Sequence, residues 1–251
     1  MALGQLLFSA IILASILVSK QTIAQEYSPM ESYACEFREG KDLNDLMNVA
    51  EKWEKWATKA YPAPYSAYVM TPVVATYEEV PEVVWLEFSD SLSGLGANID
   101  EWVQYDGGLV GEFDDVIKCD AHMLGGSFTL RARENTQDPG FVQLSACSSK
   151  DGVSDAQIAK ADLEAAAWLD EHEIPGSNYR WDVGTGSSNQ SKVDFYSIWI
   201  TDSLKQRGEA IEKMMNIEGA QADLEAIYGR ESLAECDMAR IYRGIQVGTS
   251  D

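Results

Sequence analysis

Sliding the chain against itself by 112 residues brings Cys35 onto Cys147, Gly40 onto Gly152 and Trp56 onto Trp168. The same offset superposes Asp90-Ser91-Leu92 on Asp202-Ser203-Leu204, Gly96 on Gly208, Ile99 on Ile211 and Gly107 on Gly219. Identities fall on Cys, Gly, Trp and one short run, where chance would scatter them over common residue types. An internal repeat constrains architecture more than any local signal, because each copy must build the same unit. Cys119-Asp120 meets Cys236-Asp237 once the second copy gains five residues. Each copy therefore holds one cysteine near its start and one near its end.

The pattern of elements repeats too. Tyr33 to Phe37 reads as a strand, and Leu43, Leu46, Met47, Ala50, Trp53 and Ala57 recur at helical spacing over 42–60. Pro62 and Pro64 end that helix. Strands at 65–74 and 83–88 follow, then a helix capped by Ser89, Asp90 or Ser91 that runs to about Gln104. A helical piece at 109–118 leads to Cys119, and the clearest later strand is 127–133. In the second copy the same reading gives strand 141–147, helix 154–172, strands 178–183 and 193–200, helices 203–216 and 220–229, and a strand near 238–247. Gly184 to Lys192 is a loop that contains the sequon Asn189-Gln190-Ser191.

Strand-helix-strand-strand-helix-strand is the ferredoxin-like order. With two copies in one chain, this order and the strand, Asp-Ser-Leu, helix junction resemble the dimeric α/β-barrel superfamily in its fused form. The resemblance implies an α+β fold of two ferredoxin-like domains, 25–135 and 136–251, arranged about a pseudo-twofold axis. In such a sheet the first and last strands are antiparallel neighbours. Four cysteines allow three connectivities. Only Cys35–Cys119 with Cys147–Cys236 respects both that topology and the duplication.

Residues Leu6 to Val18 form an apolar run of 13 residues, short of the roughly 20 that span a bilayer. Thr22-Ile23-Ala24 supplies small residues for cleavage, so residues 1–24 read as a secretory signal peptide with the mature chain starting at Gln25. A secreted or periplasmic location suits paired cysteines. The chain carries a net charge of −22, and removal of Lys20 with the leader makes it −22 − 1 = −23. A field of that sign disfavours nucleic acid and anionic membrane surfaces as partners. The acidic group Asp106, Glu112, Asp114, Asp115 and Asp120 lacks the alternating ligand spacing of a calcium loop.

No serine-hydrolase elbow, phosphate loop or zinc signature occurs, and two histidines alone make no metal set. His122 reads as a surface residue. His172 lies in line with Ile158, Ala161, Ala165 and Leu169 near a helix C-terminus, where a protonated imidazole is favoured. The sharper reading makes His172 an axial haem ligand with Arg180 as a nearby polar distal group, an arrangement that resembles the fused-barrel chlorite dismutase group. Trp85 and Trp199 read as core-packing strand residues; the functional reading has them line, with Tyr196, an inter-sheet pocket for an apolar or aromatic small molecule. With no clustered catalytic set, the sequence favours a non-catalytic exported binding or interaction module without cofactor or metal. The alternative is a barrel-type enzyme, cofactor-free or haem-dependent.

Overall fold

The computed structural model describes residues 26–132, 140–187, 192–229 and 232–250. The first copy contributes β1 (Tyr27–Phe37), α1 (Leu43–Ala60), β2 (Tyr65–Val74), β3 (Val83–Ser89), α2 (Leu92–Gln104), α3 (Leu109–Asp114) and β4 (Ile117–Arg131). The second contributes β5 (Phe141–Ser149), α4 (Asp155–Glu171), β6 (Ser177–Val183), β7 (Phe195–Thr201), α5 (Leu204–Met215), α6 (Ala220–Tyr228), β8 (Ala234–Cys236) and β9 (Arg240–Ser250). The leader, the sequon and the expected boundary between 135 and 136 lie outside the described residues.

The strands run in the order β7-β6-β4-β1-β3-β2-β9-β5, and β5 pairs back onto β7. All pairings are antiparallel. The sheet is therefore a closed eight-stranded barrel, with β8 as a short extension on β5. Closure depends on two seams that join the copies, β2 to β9 and β4 to β6. Strand residues alternate between two apolar environments, as a pleat requires. Even-numbered residues of β1 and β3, such as Met30 and Leu86, face the lumen with Met70, Trp181 and Tyr242. Odd-numbered ones, such as Cys35, Val83 and Trp85, meet the helices around Trp53.

Local signals explain the helix starts. Asp42 caps α1 and forms a reciprocal box with Asp45. The repeated Asp-Ser-Leu runs serve as matched caps: Ser91 accepts from the Gly94 N–H, and Ser203 accepts from the Gln206 N–H. The disulfides are Cys35–Cys119 and Cys147–Cys236, one per copy.

Two elements differ from the sequence expectation. β1 begins at Tyr27, and β4 begins at Ile117 rather than 127. The early part of β4, with Lys118, Asp120 and His122, is too polar to read as a strand. It pairs with the Tyr33–Phe37 end of β1, while residues 125–131 of β4 pair with β6 on the other side.

Candidate active site

The site lies between the helices and the sheet of the first copy. Glu31 on β1 and Glu87 on β3 are register partners, and both are buried, at 3% and 5% exposure. Directly opposed residues in an antiparallel pair hold their Cβ atoms about 5 Å apart. Two carboxylates so placed in a dry site cannot both ionise cheaply. Burial, and secondarily the Glu31 charge, pushes the Glu87 carboxyl up to about 8. The Trp85 indole N–H donates to Glu87 Oε1 at 2.9 Å and favours the charged carboxylate.

Glu31 accepts from the Tyr33 hydroxyl at 2.8 Å and contacts His122 Nε2 at 2.6 Å. The His122 ring stacks on Tyr33, with centroids 4.1 Å apart and planes 8° from parallel. The His122 side chain is 46% exposed, so a continuous set of titratable groups runs from solvent to the buried pair. A β-bulge makes this arrangement possible. Ala34 pairs with Ala121 and Cys35 with Cys119, leaving Asp120 unpaired. Cys119 and His122 are an odd number of residues apart and would otherwise face opposite sides of the sheet. The extra residue turns both toward the helices.

A cavity of about 230 Å³ opens against Glu87. Its walls include Trp53, Trp85, Trp102, Val110 and Phe113. Trp85 packs edge-on against Trp53 at 4.8 Å and against Phe113 at 5.4 Å. An aromatic box with one buried carboxyl suits a small flat apolar molecule carrying an acidic proton.

The second copy has no equivalent. The 112-residue offset carries Glu31 to Gln143 and Glu87 to Trp199, and these two are again register partners. Trp53 becomes Ala165, Tyr33 becomes Ser145 and Trp85 becomes Ser197. Arg207 donates twice to Gln143 Oε1, at 2.9 and 2.6 Å, and lies over the Trp199 ring at 5.7 Å. The Trp199 indole donates to Pro175 O at 3.3 Å. A Cβ on Gly176, whose φ is +108°, would sit 2.4 Å from Trp199 Nε1. The corresponding space is filled by Trp199 and by Trp168, Ile174 and Met214.

The residues singled out in the sequence are dispersed. Trp85 belongs to the first helix-side core, Trp199 to the second and Tyr196 to the lumen. They do not form one pocket, because Tyr196 and Trp199 are three residues apart on one strand and point to opposite faces. His172 caps the end of α4. Its Nδ1 lies 2.8 Å from the Trp168 carbonyl and its ring 4.2 Å from the Trp168 ring. Arg180 is buried between Asp162 and Asp182, at 3.3 and 2.8 Å. Among the described residues, no group of three or more His, Cys, Asp or Glu could hold a metal ion. His122 does more than sit at the surface, and Glu31 and Glu87 escaped the sequence reading entirely.

No protein-family model matches the chain, and no curated protein matches it in sequence. Solved structures do match in fold. A protein proposed to be a monooxygenase from Lactobacillus acidophilus NCFM aligns with a TM-score of 0.55 and 10% identity, over 90% of this chain and 99% of its own. A protein proposed to be a chlorite dismutase gives 0.51 and 10% identity, over 88% of this chain and 96% of its own. An anthrone oxidase-like protein gives 0.51 and 12%, over 90% and 95%. The chain has the fused dimeric α/β-barrel fold.

Two expectations are thereby corrected. The reading as a non-catalytic module is withdrawn, since the barrels that superpose over 88–90% of the chain carry the names of enzymes. The expectation of no cofactor is also withdrawn, because one of these barrels is assigned to the chlorite dismutases, the haem group weighed above for His172. The particular haem set of His172 and Arg180 does not fit, however. Arg180 borders a groove with Asp155, Asp182 and Asp194, and His172 lines neither that groove nor the aromatic pocket. Packed side chains occupy the space beside His172.

Proposed function

We propose that the chain is a dimeric α/β-barrel-type enzyme that takes a proton from a small aromatic carbon or oxygen acid in the first-copy pocket. The observation that carries this reading is Glu87, a buried carboxyl with a pKa near 8 in the wall of an aromatic cavity. A base whose pKa lies near working pH is matched to proton transfer. Glu87 faces the substrate. In its ionised form it takes the substrate proton, while the Trp85 donor stabilises the carboxylate. Glu31 and His122 give the proton a route to water. Trp53, Trp102 and Phe113 hold the ring and exclude solvent.

Anthrone is the first substrate to try, because its methylene C–H is acidic and an anthrone oxidase-like protein shares the fold. Deuterium uptake at that carbon, followed by mass spectrometry in D2O, isolates the proton-transfer step. The wild type should accelerate exchange, with a rate that rises through pH 8. Glu87→Gln should lose about 100-fold or more. Equal exchange by wild type and Glu87→Gln would remove Glu87 from the mechanism.

We further infer that the enzyme is exported. The 13-residue apolar run, the Thr22-Ile23-Ala24 site and two disulfides support a secreted or periplasmic location. Among the described residues no helix is long and apolar enough to cross a membrane. The intact mass of secreted protein should correspond to a chain starting at Gln25.

A further inference from the structure

The barrel lumen holds a second space, on the opposite face of the sheet from Glu87. It has two chambers, of about 350 and 240 Å³, that share Met70, Leu86 and Trp181 as a common waist. The larger chamber is walled by apolar side chains, including Met30, Val84 and Leu144. Its polar groups are few. Tyr242 is only 4% exposed, yet its hydroxyl makes no hydrogen bond to any described residue. Ser32 is likewise buried on the chamber wall, and its hydroxyl makes no hydrogen bond to any described residue. Tyr196 stands beside them, and the Arg240–Asp237 ion pair sits at the rim.

Both residues line the chamber, and neither hydroxyl is committed to a described partner, so both can bond whatever occupies it. The two come from β1 and β9 and line one largely apolar chamber. Burial and the neighbouring Asp237 both push the Tyr196 phenol up, and burial does the same for Tyr242, so both stay neutral donors. Of the charged side chains on the lining, Arg240 pairs with Asp237 and Asp182 with Arg180, and Glu79 adds one more negative charge. The net charge of −22 disfavours an anion.

We propose that the larger lumen chamber is a binding site for an uncharged apolar molecule with a single hydrogen-bonding head. The head meets Tyr242 and Ser32, and the body lies against Met30, Met70, Leu86 and Trp181. This site lies on the other face of the sheet from the Glu87 pocket, with Tyr33 alone bordering both, and does not depend on the activity proposed for that pocket.

The neutral fluorophore 6-propionyl-2-dimethylaminonaphthalene carries one ketone on an apolar body and brightens and shifts to the blue in apolar surroundings. Titrated into the full chain with disulfides intact, it should bind with a micromolar dissociation constant. Tyr242→Phe should weaken binding about 3- to 10-fold, the loss of one hydrogen bond. Met70→Trp should abolish it by filling the waist. Should Met70→Trp lose its native near-ultraviolet circular dichroism, Ser32→Leu blocks the chamber at its wall with a smaller change. Val110→Trp, which fills the Glu87 pocket, should leave binding unchanged. 2-Naphthoate, an anion of similar size, should bind at least 10-fold more weakly. Binding that survives both lumen variants, that disappears in Val110→Trp, or that is as tight for 2-naphthoate would overturn the proposal, as would no binding up to 1 mM probe (about −4 kcal/mol).

Discussion

The two copies share caps, cysteines and strand order, yet at the matched register positions one presents Glu31 opposite Glu87 and the other Gln143 opposite Trp199. In the first copy the helices stand over a cavity with a titrating wall. In the second the same place is plugged by an indole, a guanidinium and a neutral amide. Where the copies agree, the residues serve the fold that both must build. Where they disagree at equivalent core positions, packing alone does not dictate the choice. The first copy keeps two buried carboxyls that a Gln and a Trp could replace, and that choice marks it as the working half.

Removing the disulfides should have the largest effect, and tests whether the copies are equivalent as scaffolds. The loops closed span 84 and 89 residues. Chain entropy assigns each bridge about 4.5 kcal/mol. Replacing Cys35 and Cys119 by Ala, or Cys147 and Cys236 by Ala, should therefore lower stability in urea by similar amounts. A much smaller loss for one pair would show that the scaffolds have diverged.

Next comes the aromatic wall. Trp53 is fully buried against Trp85 and Tyr65, so Trp53→Ala should cost about 3–5 kcal/mol. Ala165 holds the matched place in the second copy, where no cavity needs a wall.

The third test concerns pH. The folded-state pKa of Glu87 is raised to about 8, against about 4.3 for an unfolded Glu. Between those values the unfolded chain releases the proton and the folded chain retains it. Stability should thus fall as pH rises across this window, by at most about 1.4 kcal/mol per unit. Glu87→Gln should flatten that slope, as measured by urea unfolding from pH 5 to 8. A slope unchanged in the variant would place the titration elsewhere.

The smallest effect sharpens the contrast. Arg207→Met removes the donors to Gln143 and the cation over Trp199 and should cost about 1–2 kcal/mol. Anthrone exchange should not change, since Arg207 lies in the other half.

The duplication, the cysteine pairing and the helix caps were legible because each leaves a local or self-referential mark: a repeated Asp-Ser-Leu run, or a Cys at a fixed offset. The acidic pair left only a faint one. Glu87 interrupts the apolar run Val83–Ser89, and a charge there is a signal. Its meaning depends on Glu31, which lies 56 positions earlier and becomes its neighbour only through the β1–β3 register. His122 was hidden by the bulge at Asp120, which reverses the face that simple alternation would assign. The grouping of Trp85 and Trp199 with Tyr196 was avoidable, because parity along β7 already separates the last two.

The seams between the copies bear on how the chain reaches its native state. β2 is completed by β9, the last strand to emerge, and β4 by β6. A first copy folded alone would present β2 and β4 as bare edges, open to pairing with any other chain. The barrel closes only after nearly every residue is available, so its contacts are far apart in sequence and its folding should be slow. Export in an unfolded form and assembly after the whole chain has crossed would protect those edges. A nick between the copies should leave two pieces that hold together, whereas either piece made separately should aggregate.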